Sequence, residues 1–258
     1  MNSKIKKILS KKNKTKIICL TSYSKNFSEV LDKYTDIVLV GDSLGSVLYS
    51  FDTTKKVNLN MMIEHSKSVR QGVKSSLLVV DMPYNTYRNK AEALKNAKKI
   101  IKYTKADAVK LEGGKKIINI IEYLRKNRIN VMGHLGILPQ TQKGKFRYKG
   151  KTSFEKKNLL TDSQLLQRSG VFSIVLECIE TQLAKKITQN LKIPTIGIGS
   201  SVNCDGQVLV TDDLIGLNLT TIKFVKSYQN IRKHIKLAIK NFSRDVKKNK
   251  YPSKKYSY

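Results

Sequence analysis

The strongest constraint on the fold is a phrase that recurs along the chain: a short apolar run that stops at a polar residue. Asp36-Ile37-Val38-Leu39-Val40 runs into Gly41-Asp42-Ser43, and Leu77-Leu78-Val79-Val80 runs into Asp81-Met82-Pro83. Ala108-Val109-Lys110-Leu111 stops at Glu112-Gly113-Gly114, Asn130-Val131-Met132 at Gly133-His134-Leu135-Gly136, and Ser173-Ile174-Val175-Leu176 at Glu177-Cys178. Runs this short and this rich in β-branched residues read as buried strands rather than helices. Buried strands that carry polar residues at one end describe an α/β protein whose chemistry is collected at a single rim.

Helical periodicity fills the gaps between these strands. The pattern predicts helices over 26–34, 58–72, 91–104, 115–127 and 181–191, with Met61, Met62, His65 and Val69 on one face of the second and Gly72 stopping it. Thr161-Asp162-Ser163-Gln164 reads as a capping box that opens a further helix ending at Gly170. A first strand falls at 16–22, a seventh at 194–199, and an eighth at 207–210 that ends in Thr211-Asp212-Asp213. Residues 1–15 form a basic segment, a short amphipathic helix or a loose arm, with Ile5, Ile8 and Leu9 at helical spacing. The stretch 138–158 is the longest without periodicity and reads as a mobile loop over the site. The tail is expected to be helical from 222 to 245 and frayed over 246–258. Eight strands with helices between most of them give one (β/α)8 TIM barrel domain spanning 1–258. An open doubly wound sheet is disfavoured, because no Gly-x-Gly-x-x-Gly opens a helix after the first strand.

The formal net charge of +31 invites a nucleic-acid partner. Lys supplies 42 of the 50 basic residues, however, and they are spread over every helix and loop instead of forming a stripe. Arg, the residue suited to bidentate phosphate and guanine contacts, is scarce. The charge therefore reads as a solvated surface with no specific nucleic-acid role, able to help capture anionic substrates. Cys19, Cys178 and Cys204 form no spaced pair, so neither a disulfide framework nor a thiolate zinc site is suggested. No apolar run approaches the ~20 residues of a membrane span, and residues 1–16 lack a secretory pattern, so a cytoplasmic location is expected.

Against that background the 19 acids are informative. Eight of them, Asp42, Asp81, Glu112, Glu177, Glu180, Asp205, Asp212 and Asp213, lie at or just beyond predicted strand ends. Asp42, Asp81 and Glu112 on strands two, three and four would be neighbours on one arc. Three oxygen ligands without His or Cys suit Mg2+; the plainer alternative is that each caps a turn or pairs with a lysine. Glu177 on strand six stands apart from that arc and can serve as a general base. His134 lies between, as a proton shuttle, a hydrogen-bond donor to substrate or simple packing. Lys110 faces the same side as Glu112 and can hold a substrate carboxylate.

These segments carry a family resemblance. The stretches from Leu39 to Gly45, Asp81-Met82-Pro83-Tyr84, Val109 to Gly114, Gly133-His134-Leu135-Gly136 with Pro139-Gln140, Leu176-Glu177-Cys178, Ile193 to Gly199 and Cys204 to Val210 occur in order over residues 15–216. Together they resemble the ketopantoate hydroxymethyltransferase (3-methyl-2-oxobutanoate hydroxymethyltransferase) family of the phosphoenolpyruvate/pyruvate barrel superfamily. The resemblance implies transfer of a one-carbon unit from 5,10-methylenetetrahydrofolate to 3-methyl-2-oxobutanoate, giving 2-dehydropantoate for pantothenate and coenzyme A biosynthesis. It implies Mg2+ on Asp42, Asp81 and Glu112, a keto acid chelating that ion and contacted by Ser43 and Lys110, with His134 nearby, and Glu177 as proton acceptor. A Mg-stabilised enolate formed by loss of the C3 proton is the implied intermediate, and a homodecamer the implied assembly.

The chain departs from the family pattern at Ser24, where an aspartate is usual, at Thr211, usually histidine, and at Ser201, usually glycine. Residues 144–151 keep only the aromatic and basic character of the family's loop. None of these departures falls on a metal or base position. A carbon–carbon lyase or phosphonate mutase of the same superfamily would carry a cysteine in the loop after strand five, and 138–158 has none.

Overall fold

In the computed structural model, which describes residues 2–141, 147–218 and 222–258, strands and helices alternate from the first strand to the seventh but for two successive helices after the second strand. The order is α1 (Ser3–Ser10), β1 (Ile17–Thr21), α2 (Lys25–Leu31), β2 (Ile37–Val40), α3 (Leu44–Tyr49), α4 (Leu59–Gly72), β3 (Leu77–Asp81), α5 (Lys90–Thr104), β4 (Ala108–Glu112), α6 (Ile118–Lys126), β5 (Val131–Gly136), α7 (Ser153–Arg168), β6 (Ser173–Glu177), α8 (Thr181–Asn190), β7 (Thr195–Ile198), β8 (Gly206–Leu209), α9 (Thr211–Leu214) and α10 (Ile231–Lys247). Each strand pairs in parallel with the next, and β8 closes on β1, so the sheet is the expected closed (β/α)8 barrel. The chain divides into two compact units, Met1–Val210 and Thr211–Tyr258.

Side-chain alternation along the strands builds two apolar layers in the first unit. Ile37, Leu39, Leu77, Val79, Ala108, Met132, Val175 and Val208 pack together inside the barrel. Val38, Val40, Leu78, Val80, Val109, Leu111, Val131, Ile174 and Leu176 face outward onto the surrounding helices. Strands buried on both faces have no polar side to alternate with, which is why their sequences read as continuous apolar runs. The inward parity carries on past the apolar layers: after Leu77 and Val79 comes Asp81, and after Ala108 come Lys110 and Glu112.

The N-terminal segment is a helix that closes the bottom of the barrel. Ile5 and Ile8, each 1% exposed, join the inner apolar cluster. Each such burial contributes about 1.5–3 kcal/mol, which holds a helix of 8 residues that is too short to persist alone. Around it Lys4 Nζ donates to the Lys74 and Ser76 carbonyls at 2.8 Å. Lys12 Nζ donates to Asp205 Oδ2 at 2.8 Å and to the Thr188 carbonyl at 2.7 Å.

Several boundaries differ from the sequence reading, three of them in a way that changes the local structure. Helix α7 begins at Ser153, because Thr152 caps it by accepting from the Glu155 N–H (3.1 Å) while Glu155 accepts from the Gly150 and Lys151 N–H groups. Thr161-Asp162-Ser163-Gln164 thus lies inside a helix, where Asp162 turns outward to accept from the Lys115 N–H. In the second unit the long helix starts at Ile231 rather than 222, capped by Asn230. Residues 246–258, expected as frayed chain, complete α10 and fold back. Tyr251 packs on Phe242 with ring centroids 5.3 Å apart, and Lys254–Tyr256 forms a 3-10 turn. Among the described residues no helix is long and apolar enough to cross a membrane.

Candidate active site

Five consecutive strands, β2 to β6, bring Asp42, Asp81, Glu112, His134 and Glu177 to the C-terminal rim. Asp42 lies in the turn just past β2, where its backbone N–H donates to Asp81 Oδ2 (3.1 Å). Asp81 opposes Lys110 in the register of β3 and β4, and Lys110 Nζ reaches Asp81 Oδ1 at 2.8 Å. Glu112 opposes His134, whose ring stands between two carboxylates: Nδ1 is 3.4 Å from Glu112 Oε1 and Nε2 is 3.2 Å from Glu177 Oε2. Both are ion-pair contacts that hold the ring between the two acids. Glu177, expected to stand apart from the three acids, is therefore joined to them through His134. The Ser43 hydroxyl meets the Tyr23 hydroxyl at 2.8 Å.

The electrostatics describe a site short of positive charge. Asp42, Asp81, Lys110 and Glu112 are each at most 5% exposed, so three buried carboxylates share one ammonium. Burial, followed by the Asp81 and Glu112 charges, pushes the Asp42 carboxyl up to about 8. Burial works against the Lys110 ammonium, but Asp81, Glu112 and Asp42 outweigh it and hold its pKa above the usual lysine value. Burial likewise opposes the charged form of Glu112, which His134, Lys110 and the Gln140 N–H nevertheless keep below the usual range. Burial and Lys110 would discharge His134, yet Glu112 and Glu177 raise it to about 9. A divalent cation fits this donor set: hard oxygen ligands, buried, with excess negative charge. As the side chains stand, no group of three His, Cys, Asp or Glu among the described residues is arranged to hold an ion. The acid oxygens are instead taken by Lys110, by the Asp42 N–H and by Gln140.

Gln140 escaped the residue-by-residue reading although it is 1% exposed and contacts both Asp42 and Glu112. Of the other four acids that follow or flank predicted strand ends, one lies at the opposite end of the barrel. Asp205 precedes β8 and accepts from Lys12 and from the Asn13 N–H at the bottom of the barrel. Glu180 caps α8, and Asp212 and Asp213 belong to α9 of the second unit. Thr211 opens that same short helix, Ser24 precedes α2, and the Ser201 hydroxyl accepts from the Asn203 N–H. Of the loop after β5, residues 142–146, Gly144 among them, lie outside the described residues. A cavity of about 410 Å3 opens at the opposite end of the barrel, but its acids are engaged: Asp36 with Lys11 and Asp32 with the Ser75 and Ser76 N–H groups.

A closed parallel barrel with acids along one arc of its rim defines an α/β-barrel protein, and the fold is shared with solved members of the phosphoenolpyruvate mutase/isocitrate lyase superfamily. A solved phosphonopyruvate hydrolase in complex with oxalate and Mg2+ superposes with TM-score 0.64 over 99% of this chain and 93% of that one, at 10% identity. A 2,3-dimethylmalate lyase matches with TM-score 0.63 over 95% of this chain and 86% of that one, at 13% identity. Both likenesses are of fold. Sequence narrows the class: the family model for ketopantoate hydroxymethyltransferase matches residues 2–254, and the chain belongs to that family. It is 65% identical over 258 residues, all of both chains, to the 3-methyl-2-oxobutanoate hydroxymethyltransferase of Pelagibacter ubique (strain HTCC1062). It is 41% identical to the enzyme of the same name from Helicobacter pylori (strain ATCC 700392 / 26695), over 96% of this chain and 93% of that one.

Proposed function

We propose that this chain is a 3-methyl-2-oxobutanoate hydroxymethyltransferase that takes its one-carbon unit from 5,10-methylenetetrahydrofolate. Its product would be 2-dehydropantoate, made in the cytoplasm for pantothenate and coenzyme A biosynthesis. Residues 1–258 would act as one domain within a homodecamer. Family membership supports the reaction, and one observation carries the site assignment: three buried carboxylates around a single ammonium, with a fourth acid reached through a charged histidine.

Asp42, Asp81 and Glu112 would hold Mg2+, which when bound supplies a Lewis acid for the keto acid and its enolate. Lys110, pinned by Asp81, offers an ammonium to a substrate carboxylate, and Ser43, paired with Tyr23, offers a hydroxyl. His134 places a positive ring beside Glu177. Glu177, whose side chain is 16% exposed against 2% for Glu112, is the acid with access to a substrate and takes the C3 proton.

Deuterium incorporation at C3 of 3-methyl-2-oxobutanoate isolates proton removal, because it needs no folate. Wild type with Mg2+ should exchange, and Glu177→Gln should bind the keto acid yet exchange about 10²- to 10⁴-fold more slowly. Exchange at the wild-type rate in the variant would transfer the role of base to another group, His134 first. Formation of 2-dehydropantoate from keto acid and methylenetetrahydrofolate, with and without Mg2+, tests the whole reaction.

A further inference from the structure

Gln140 follows β5 on the loop, yet it touches the ends of three other strands. Its backbone N–H donates to Glu112 Oε2 at 3.1 Å. Its side-chain Nε2 donates to Asp42 Oδ2 at 2.8 Å and to the Met82 carbonyl at 3.0 Å. Its Oε1 accepts from the Tyr87 hydroxyl at 2.5 Å.

The chemistry of these neighbours fixes which way the amide faces. The Met82 carbonyl can only accept, so the NH2 end must point to it, which also brings Nε2 to Asp42 Oδ2. The oxygen end then needs a donor. Tyr87 is that donor, since its remaining neighbour, the Glu112 carbonyl at 3.4 Å, is also an acceptor. Turned over, the amide would set oxygen against oxygen on one side and leave the phenol facing an NH2 group on the other.

We propose that Gln140, oriented by Tyr87, is a positioning residue for the divalent-cation site and sets its affinity. One residue holds the β2 acid with its side chain and the β4 acid with its backbone, so the separation of the two carboxylates is tied to a single residue's covalent geometry. Being neutral, the side-chain amide occupies one Asp42 oxygen, and the backbone N–H one Glu112 oxygen, without cancelling charge. Lysine or arginine at this position would set a positive charge beside Asp42 and repel the ion. Groups that orient metal ligands in this way typically change metal affinity 10–100-fold when removed.

The inference rests on the metal reading given under Proposed function, and the test separates the two. Mg2+ is titrated calorimetrically into metal-free full-length protein without substrate, comparing wild type, Gln140→Leu, Tyr87→Phe and Asp42→Ala. Gln140→Leu keeps the backbone N–H to Glu112 and removes both side-chain functions, and its Kd for Mg2+ should rise about 10–100-fold. Tyr87→Phe leaves the groups that contact the acids in place but frees the amide to turn, and a clear rise of up to about 10-fold is expected. A merely structural role would lower the melting temperature of either variant and leave the Kd of the folded protein alone. An unchanged Kd in Gln140→Leu, or in Tyr87→Phe should the leucine variant not fold, overturns the proposal while Asp42→Ala still loses binding. Wild-type binding by Asp42→Ala would sink the metal reading, and this proposal with it.

Discussion

Replacing Lys110 by methionine keeps a long unbranched side chain and removes the one ammonium among three buried carboxylates. Lys110 Nζ lies 2.8 Å from Asp81 Oδ1, and the two side chains are 6% and 3% exposed. At that distance and an effective dielectric of about 20, the attraction is about 6 kcal/mol. The desolvation of the ammonium, which the variant no longer suffers, offsets part of it. What remains is the cost of leaving buried charge unmatched, about 3–5 kcal/mol. In proteins of about this size each kcal/mol moves the melting point by about 2–4 °C, so Lys110→Met should melt about 6–20 °C below wild type. The assay is thermal unfolding followed by circular dichroism at neutral pH in EDTA. Adding Mg2+ should recover part of the loss by restoring positive charge, about 2.7 kcal/mol at a hundredfold excess over Kd. A variant melting within about 2 °C of wild type in EDTA, under 1 kcal/mol, would show that the acids do not need this ammonium.

Three further outcomes follow from the geometry. Gly136 has φ +104°, and a Cβ there would collide with the Glu177 carbonyl, so Gly136→Ala should lose at least about 1–3 kcal/mol and slow C3 exchange; a normal melt would refute this. Ile8→Ala opens the inner cluster at the bottom of the barrel and should cost about 2–5 kcal/mol in urea titration while folded molecules keep wild-type turnover. Burial raises the Asp32 carboxyl, but N–H groups of Ser76, Ser75 and Lys74 outweigh it and leave the pKa below its usual value. Asp32 therefore contributes stability above its unfolded pKa of about 3.9, and that stability is lost as pH falls through the lower folded value. Asp32→Asn should be weaker at neutral pH and decline less steeply in acid; matching acid limbs for variant and wild type would contradict this account.

The barrel and four of its site acids were legible because each statement was local. An apolar run that stops at Asp81 or Glu112 declares a strand and its end within five residues. Gln140 has no such mark. Its partners lie 28, 58 and 98 residues away, in an aperiodic stretch, so no spacing rule reaches it, although the resemblance includes Pro139-Gln140. Asp205 was misplaced because an acid beside a strand reads the same at either end, and only the pairing of Gly206 with Ile17 and Ile196 decides. Thr152 and Thr161 both begin plausible capping boxes. The choice between them depends on Glu155, which gathers the Gly150 and Lys151 N–H groups of the incoming loop.

The helix that closes the barrel floor also orders events in time. Lys12 is bound to Asp205, 193 residues further along the chain, and Lys16 to the Cys204 carbonyl, 188 residues further. At ribosomal rates of about 5–20 residues per second, those partners emerge roughly 10–40 s after α1. The two anchors that follow α1 thus close only after β8 has been made, whereas Lys4 meets its partners, the Lys74 and Ser76 carbonyls, 70 and 72 residues along. Contacts this distant in sequence make closure of the floor slow.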